Sequence, residues 1–526
     1  MEGRTNILDT LTFLKVILCL SIAIYLPIYF RLVGDRSRFF LLLKKSHPLF
    51  AAAAVASFFI SALSFAWLGY CLLIGVYGAL RFFERGGFYL EESLIDFSMI
   101  YLPIGGIWFT VYQHEWNLFG FTGMLALLTA IHFHYSSLFG LLFSGLLGRW
   151  LKDNHGIPRV YKAAMLIFIL SPLAVAIGIT YSRAIEIAAV LLFAAALYTY
   201  CLYSFKTKKV SVMLSSVALL FTMLLSALYA LRLVDIPFMV YFHWLVNALL
   251  FTGFGLVGYS QLKPESHFPL AAIPFSAIAG QGRIGTDFFS RNAFVANTAT
   301  HPAGMVDSMA DFARSDFSPG KISPRIADFY INTIGYDMDV QPRWRRFFYP
   351  VARLYKKLSI VMEQMNFPIL EEEFHTEIDS QMVKLVDRKD SRENVRAWVR
   401  SDKRTRKAIY VAAYSTHVNA VGERFYNVFF PLPFGGMTSV LRISHYGEEG
   451  VTLTSFSEEK RADHNGVYLT LWQKCFRIPI NETIDVWTED GCIKAYHASY
   501  LFGVRVLELD YIIRPKQTAI TSRKSM

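Results

Sequence analysis

The sequence predicts an α-helical polytopic membrane domain of about nine spans, followed by a C-terminal cytosolic α+β domain with an antiparallel, barrel-like or strongly curled β-sheet. The 526 residues are 54% hydrophobic and only 18% charged, whereas soluble domains average about 25% charged residues. The half up to Leu262 carries 29 charged residues and the rest of the chain carries 64. From about residue 393, apolar positions alternate with a period of two, which is typical of strands.

Long apolar runs define the membrane domain, which we place at residues 1–262. A bilayer core of roughly 30 Å needs about 20 apolar residues per helix. The run 48–84 is long for one helix and short for two, and we interpret it as two spans, 48–67 and 69–84, that meet near Gly69. The runs are 10–32, 48–84, 92–112, 118–148, 159–180, 184–205, 210–232 and 236–261.

Basic residues set the expected orientation. With two spans in 48–84, the basic loops at 31–45, 81–85, 149–162 and 206–209 all fall on one side. Loops rich in Lys and Arg stay in the cytoplasm, so we expect the N-terminus outside and the C-terminal domain in the cytoplasm. The net charge of +11 is thinly spread and reports this orientation. We therefore expect membrane lipid, and no nucleic acid, as a partner.

A group of polar residues lies at membrane depth, where such side chains are costly and are candidates for function. The predicted site comprises His132, His134 and Tyr135 in the fifth span, with His243 and Asn247 in the ninth. Residues two apart on a helix point about 200° apart, so His132 and His134 face different neighbours. His243 and Asn247 are one turn apart and share a face.

Two interpretations of these residues stay open. The histidines either form hydrogen bonds between helices, or they belong to a metal, haem or proton-handling site. No metal or other cofactor is assigned. The candidate metal ligands are His132, His134 and His243.

The second half of the chain divides by its pattern into a connector and an α+β domain. Residues 263–320, rich in Gly, Ser and Pro, form the connector; 321–526 form the domain, helical over 322–390 and β-rich over 393–515. Short, regularly spaced strands predict a barrel or curled sheet that can enclose an apolar cavity. The strands are Asn394–Arg400, Lys407–His417, Glu423–Pro431, Met437–His445, Val451–Ser457, Gly466–Gln473, Glu482–Glu489, Cys492–Leu501 and Val504–Ile513.

Basic and aromatic residues interleave at Arg343, Trp344, Arg345 and Arg346, just before a helical pattern. Such a stretch can bind anionic headgroups and seat an aromatic ring at a membrane surface. Alternatively, the ring joins the core of the soluble domain and the arginines pair with acids such as Glu371–Glu373. The sequence favours neither interpretation.

Catalytic motifs do not stand out. The sequence contains no nucleophile elbow and no zinc-protease motif. The G-x-G-x-x-G match at Gly280–Gly285 lacks the βαβ pattern that dinucleotide binding needs. Whether the chain is an enzyme therefore stays open.

Three stretches resemble the YndJ-like family of bacterial membrane proteins: Ile131–Tyr135, Phe242–Phe251 and Glu423–Met437. The resemblance extends over nearly the whole chain, and the Ile-His-Phe-His-Tyr stretch is its most specific part. Where the family usually has glycine after the histidine of the ninth span, this chain has Trp244. The resemblance implies a multi-span protein of the bacterial inner membrane with a soluble C-terminal domain, and it implies no particular activity.

Three functions fit these features. The first is binding or transport of an apolar or amphipathic small molecule, with the β-rich domain as a cytosolic ligand-binding or regulatory partner. The second is an intramembrane enzyme that acts on a lipid-like substrate through the histidine cluster. The third is a membrane-anchored scaffold or sensor. We expect the first, because charge is sparse inside the spans and a barrel can enclose a cavity.

Overall fold

The computed structural model describes residues 2–85, 89–231, 233, 242–266, 273–280, 282–366, 376–457, 464–471 and 474–516. The chain forms two compact units, Met1–His267 and Phe268–Met526. The first unit is a helical bundle, and the second contains a large antiparallel sheet.

Eight helices of the first unit, counted over the described residues, are long and apolar enough to cross a membrane. The predicted class of helical membrane domain is therefore confirmed. A ninth helix, α9, is described over 242–262; the beginning of the ninth predicted span lies outside the described residues. The eight are α1 (Thr10–Val33), α2 (Arg38–Ala56), α3 (Ser61–Arg85), α4 (Leu90–Gln113), α5 (Gly123–Asn154), α6 (Arg159–Tyr181), α7 (Arg183–Thr207) and α8 (Val210–Tyr229).

The run 48–84 contributes to two helices, but the junction differs from the expected one. α2 ends at Ala56 and a bend over 57–60 leads into α3. The turn expected near Gly69 is wrong, because Gly69 lies inside α3. Apart from Ser57, the bend carries none of the usual turn residues, and three apolar residues follow, so its composition does not stand out from the span.

The basic loop expected at 31–45 is also shorter than predicted. Only residues 34–37 separate α1 from α2. The Ser37 hydroxyl accepts a hydrogen bond from the backbone N–H of Phe40 at 3.3 Å. This serine cap begins the helix early, so the basic residues from Arg38 to Lys45 lie on the first turns of α2.

Three helices contain π-helical turns, in which the backbone N–H bonds to the carbonyl five residues earlier. These turns lie at Leu20–Tyr25 in α1, Phe133–Gly140 in α5 and Val246–Gly253 in α9. Wide turns of this kind are frequent at functional sites and change the register of the backbone hydrogen bonds. Carbonyl oxygens at these places are then available to other helices.

Side-chain hydroxyls bond to backbone carbonyls at these turns. Ser21 donates to the carbonyl oxygen of His134 at 3.0 Å, and Tyr25 donates to that of Ala248, also at 3.0 Å. Tyr135 donates in the other direction, to a backbone carbonyl of α1 at 2.8 Å. Because lipid offers no water as a substitute partner, these bonds tie α1 to α5 and α9.

α4 and α5 approach closely because glycines of α5 stand at their contact. A methyl group on Gly145 would lie 2.6 Å from the carbonyl oxygen of Glu91, and one on Gly148 would lie 2.8 Å from the Glu91 Cβ. Small residues permit this spacing between membrane helices. The contact brings the acidic first turn of α4 against the last turns of α5.

The second unit is built on a closed antiparallel barrel, which confirms the predicted sheet. Ten strands close the ring in the order β5-β4-β3-β2-β1-β12-β11-β10-β7-β6, and β6 pairs back onto β5; the hairpin of β8 and β9 branches from β6. The strands are β1 (Tyr336–Trp344), β2 (Thr376–Lys384), β3 (Arg396–Asp402), β4 (Ala408–Val418), β5 (Arg424–Leu432), β6 (Gly435–Tyr446), β7 (Gly450–Thr454), β8 (Gly466–Leu471), β9 (Lys474–Ile478), β10 (Ile480–Glu489), β11 (Cys492–Leu501) and β12 (Val504–Pro515).

All nine predicted strands overlap observed strands, whereas β1, β2 and β9 have no predicted counterpart. β1 and β2 lie in the segment 322–390, so the expectation of a helical segment is wrong there. The longer helices described in that segment are α10 (Pro324–Ile331) and α11 (Tyr349–Met362), and a single helical turn follows at Asp387–Asp390. β1 alternates buried and more exposed residues, and its sequence (Tyr-Asp-Met-Asp-Val-Gln-Pro-Arg-Trp) alternates apolar and polar residues in the same register, so the strand signal was present in the sequence.

Residues before β1 complete the core of the barrel unit. Met305, Met309 and Phe312 are buried together with residues of the barrel interior. The Phe312 and Tyr426 rings, for example, have centroids 6.4 Å apart. The later part of the segment expected as a connector thus contributes to the hydrophobic core of this unit.

Candidate functional site

A cavity of about 360 Å³ lies in the helical unit among α5, α6, α7, α8 and α9. Its wall is mainly apolar, and its volume falls in the range of about 300–1,000 Å³ that is typical of small-molecule sites. Four of the five predicted site residues line it, namely His132, Tyr135, His243 and Asn247, whereas His134 does not. The other polar residues of the wall are Thr129, Ser136, Glu186, Ser226 and Tyr229.

His132 reaches the cavity from α5. It shares one helix face with Ser136 and Gly140, which also line the cavity. Nδ1 of His132 lies 3.0 Å from the carbonyl oxygen of Leu128, one turn earlier. The ring packs edge-on against Trp244 of α9, with centroids 4.4 Å apart. The large side chain at position 244 is therefore part of the contact between α5 and α9.

His243 and Asn247 reach the cavity from α9 and are oriented by α8. Nδ1 of His243 lies 3.2 Å from the carbonyl oxygen of Thr222 and 3.4 Å from the Ser226 hydroxyl oxygen. The Thr222 hydroxyl donates to Oδ1 of Asn247 at 2.9 Å. One residue of α8 thus contacts both polar residues of α9.

In both cavity histidines, Nε2 is the ring nitrogen that can accept a hydrogen bond. A carbonyl oxygen only accepts, so Nδ1 of His132 and Nδ1 of His243 each carry a hydrogen. A neutral imidazole then keeps its lone pair on Nε2. Within the described part of the chain, neither Nε2 has a hydrogen-bond partner. Each ring can therefore accept a hydrogen bond or a proton from a bound molecule.

A protein-bound metal would need further ligands. Among the described residues, no three His, Cys, Asp or Glu side chains come together in a way that could hold a metal ion. The third candidate ligand, His134, lies on another face of α5 and does not line the cavity. His132 and His243 are thus left without a third ligand of this kind.

His134 contacts α3 and α4 instead. Its Nδ1 lies 2.8 Å from the carbonyl oxygen of Ala130, and its Nε2 accepts from Nε1 of Trp67 at 3.2 Å. The side chain is 1% exposed, and a methyl group on Gly105 would lie 2.7 Å from Nδ1. Both ring nitrogens are bonded inside the bundle, so this histidine holds helices together.

A buried ion-pair network is the feature that sequence reasoning missed. Arg149 binds both oxygens of Glu92, at 2.7 and 2.8 Å. Arg81 and Arg85 contact the same carboxylate at 3.0 and 2.8 Å, and Nε of Arg81 lies 3.2 Å from Asp96. A signal was present in the sequence: the two arginines of α3 are four apart, as are Glu92 and Asp96 of α4, so each pair shares a helix face.

The basic residues proposed for membrane contact belong partly to ion pairs of the barrel. Arg343 binds Asp510 of β12 at 2.7 Å, and Arg345 binds Glu508 of the same strand. The acids expected as partners, Glu371–Glu373, lie outside the described residues. Ion pairing on β12 holds these two arginines against the sheet.

Trp344 and Arg346 have different surroundings. The Trp344 ring is half-buried and lies nearly parallel to that of Phe348, with centroids 6.1 Å apart. It packs at the margin of the hydrophobic core. Arg346 is exposed at the beginning of the segment that leads into α11.

Two histidines of the barrel unit form another buried pair. Nε2 of His417 lies 2.7 Å from Nδ1 of His464, and Nδ1 of His417 lies 3.0 Å from Oδ1 of Asn427. Burial, and then the neighbouring His464, lower the pKa of His417 to about 4. Burial also lowers the pKa of His464. The pair is therefore uncharged at neutral pH.

Comparison with known proteins covers both units. A family model described as YndJ-like protein matches residues 16–251. The uncharacterized membrane protein YndJ of Bacillus subtilis (strain 168) is 30% identical over 521 residues, which cover 95% of this chain and 93% of that protein. No solved structure matches the chain. The similarity to YndJ continues through the barrel unit, beyond the residues of the family model, and the chain belongs to the YndJ-like family of membrane proteins.

Proposed function

We propose that the helical unit binds or transports an apolar or amphipathic small molecule through the cavity that contains His132 and His243, with the barrel unit as a ligand-binding or regulatory partner. The cavity itself carries this proposal, since it offers about 360 Å³ inside a mainly apolar wall. Burying apolar surface contributes about 25 cal/mol per Å². An apolar body therefore supplies most of the affinity.

The polar part of the wall defines the remainder of the ligand. The Nε2 atoms of His132 and His243 can accept hydrogen bonds, and Glu186, which carries a carboxylate, is also a residue of the wall. A neighbouring Arg183 pairs with that carboxylate at 2.7 Å. Acceptors of this kind favour a ligand with a hydroxyl or amine donor and disfavour an anion. We therefore expect an amphipathic alcohol or amine.

Photolabelling of the purified full chain in detergent tests this proposal. The probe is a benzophenone that carries a hydroxymethyl group, which has an apolar body and one donor. We expect ultraviolet light to attach it to α5, α8 or α9. Ser136→Trp fills the cavity and should abolish this labelling, and His243→Ala should weaken it about threefold or more.

Leu166→Trp is the matched control, because this side chain of α6 is 56% exposed on the surface of the bundle. It should label like the unmodified chain. Equal labelling of the Ser136→Trp and Leu166→Trp variants, or labelling only of the outer surface of the bundle, would overturn the proposal.

We place the protein in the inner membrane with its N-terminus outside and its C-terminal unit in the cytoplasm. Arg38, Lys44, Arg85, Lys152 and Lys206 support this orientation, since basic helix ends and loops stay inside. Fusions at the C-terminus distinguish the two sides: green fluorescent protein should fluoresce, and alkaline phosphatase should be inactive. The reverse pair of results contradicts the orientation.

We also propose that α11 and the basic residues before it contact anionic lipid. The exposed apolar residues are spaced by three and four, which places them on one helix face. Arg346, Arg353 and Lys357 are exposed beside this face, as in helices that lie on membrane surfaces. The apolar residues are Phe347, Val351, Leu354, Leu358 and Val361, with exposures of 63, 50, 63, 55 and 76%.

A crosslinking amino acid tests this contact in the full chain. We place benzoyl-phenylalanine at Leu354, and at Val421 as a control that is 79% exposed but has no basic helix face beside it. In nanodiscs, position 354 should crosslink to lipid, and more strongly with phosphatidylglycerol than with phosphatidylcholine. Crosslinks from position 354 to protein alone would contradict the proposal.

A further inference from the structure

The interior of the barrel contains a second, smaller cavity of about 100 Å³. Its wall is formed by inward-facing residues of β1, β3, β4, β5, β6, β7, β10, β11 and β12, with α10 beside them. Most of these residues are aromatic or aliphatic. Three residues of the wall are instead basic or acidic: Arg400, Glu482 and His497.

Arg400 is held inside the barrel by aromatic side chains. Strand alternation turns Trp398 and Arg400 of β3 to the same side, and the guanidinium carbon lies 4.2 Å from the ring centroid of Trp398 and 4.2 Å from that of Tyr410. Nη2 donates to the Tyr414 hydroxyl at 3.2 Å. Over the residues that the structure describes, no carboxylate lies within 4 Å of Arg400.

Two other buried arginines of the same unit are paired with acids. Arg392 binds Asp390 at 2.6 Å, and Arg396, two residues before Trp398, binds Asp307 at 2.9 Å. Burying a charge without a counterion is costly. Arg400, which is 6% exposed, departs from this pattern, and contact with two aromatic rings offsets only part of the cost.

Three hydrogen-bond donors of the cavity wall are unused. Nε of Arg400, Nε1 of Trp398 and the hydroxyl of Tyr426 have no hydrogen-bond partner within the described ranges. All three side chains are more than nine-tenths buried and line the same cavity. Buried donors in native proteins are nearly always bonded, so this group of donors matches a ligand that supplies acceptors.

The acid of the cavity is already engaged. Glu482 accepts from Nε2 of His497 at 2.8 Å. Burial raises the pKa of Glu482, but His497 and then Ser439 outweigh it and lower the pKa overall. The carboxylate is thus an ion held by its own partner, and it leaves the charge of Arg400 available.

We propose that the barrel binds a small monocarboxylate, whose oxygens accept hydrogen bonds from Arg400, Trp398 and Tyr426. Its short apolar chain contacts aliphatic residues of the wall such as Leu441 and Ile484. A cavity of about 100 Å³ suits a chain of a few carbons. This inference rests on the proposed ligand-binding role of the barrel and makes it specific, and it does not depend on the cavity of the helical unit.

Calorimetric titration of the full chain in detergent with sodium butyrate tests the inference. Butyrate should bind, whereas butyramide, which has the same shape without the charge, and butylamine should not. Arg400→Met should weaken the binding of butyrate about tenfold or more. Arg406→Met is the control, because that side chain is 76% exposed, and it should bind butyrate normally.

Thermal unfolding supplies a second measurement. Without butyrate, Arg400→Met should unfold at a temperature no lower than the unmodified chain, since it removes an uncompensated buried charge. Butyrate should raise the midpoint of the unmodified chain and not that of Arg400→Met. A lower midpoint of Arg400→Met without butyrate would assign the arginine to packing and overturn the inference.

Further outcomes also overturn it. Equal affinity for butyrate and butyramide would show a cavity that selects by shape and not by charge, and a preference for butylamine would assign recognition to Glu482. Failure of the unmodified chain to bind butyrate would contradict the inference directly. His243→Ala should bind butyrate normally, so a failure of the helical-unit proposal leaves this result unaffected.

Discussion

Arg149 holds Glu92 through two parallel hydrogen bonds, from Nε to Oε1 at 2.7 Å and from Nη2 to Oε2 at 2.8 Å. Both side chains are 3% exposed, and the pair joins the end of α5 to the first turn of α4. A planar guanidinium matches a carboxylate in this geometry, whereas the ammonium of lysine does not. Two further arginines of α3 share the same carboxylate.

Glu92→Gln should lower the free energy of unfolding by about 3–5 kcal/mol, because it removes the buried carboxylate that Arg81, Arg85 and Arg149 share. Denaturation of the full chain in detergent measures this loss. Glu115→Gln is the control: Glu115 is an exposed acid just after α4, and its substitution should change stability by less than about 0.5 kcal/mol. Similar losses in both variants would show that the network does not hold the bundle together.

Gly105→Ala should destabilise the helical unit by about 1–3 kcal/mol, because its methyl group would lie 2.7 Å from Nδ1 of His134. Gly69→Ala is a matched control within α3, where the methyl group meets nothing within 4 Å. It should be neutral or stabilise by up to about 1 kcal/mol. Thermal unfolding of both variants measures the difference, and equal losses would argue against close contact of α4 with His134.

Replacing each membrane histidine by alanine should separate packing from binding. His134→Ala leaves Nε1 of Trp67 without its acceptor and should cost about 1–3 kcal/mol of stability. His132→Ala and His243→Ala should cost less than that and should instead weaken photolabelling. Comparable stability losses in all three variants would mean that the cavity histidines also serve mainly as packing.

The stability of the barrel unit should fall as the pH is lowered from about 6.5 to about 4. The pKa of His417 is lowered from 6.5 to about 4, mainly by burial and then by His464. Between these values the unfolded chain binds a proton that the folded chain does not. The free energy of unfolding therefore decreases by up to about 3 kcal/mol across this window and is constant above it.

Unfolding midpoints at pH 7 and pH 4.5 check this dependence. The decrease between the two should be smaller in His417→Gln than in the unmodified chain. His301→Gln, which alters an exposed histidine of the same unit, should keep the full decrease. If both variants show the same decrease, the buried pair is not its cause.

The barrel strands were predictable wherever apolar and aromatic residues dominate a segment between turn signals. β4 and β5 carry continuous runs of apolar and aromatic residues between turn signals. β2 (Thr-Glu-Ile-Asp-Ser-Gln-Met-Val-Lys) is largely polar, and among its residues with described burial only Ile378 and Met382 are buried. Its pairing with β1 and β3 stabilises it as a strand, and a single segment cannot reveal such partners.

The membrane site was predictable in part. The 200° separation of His132 and His134 on a helix follows from their spacing alone, and the structure places them on different sides of α5. His243 lines the same cavity as His132, whereas His134 contacts Trp67. Both arrangements depend on helix packing between residues far apart in the sequence, about 110 and 67 positions respectively. Arg81 and Arg149 are also ambiguous in the sequence, because a basic residue near the end of a span can indicate orientation and can also form a buried ion pair.

The hydrogen bonds made by α1 have a consequence for assembly. Ser21 bonds to a carbonyl 113 residues later in the chain, and Tyr25 to one 223 residues later. Because synthesis proceeds from the N-terminus, the first helix enters the bilayer long before these acceptors exist. α1 therefore cannot form all of its final hydrogen bonds until α9 has been made. The first segment to be inserted is then among the last to be fixed in the folded bundle.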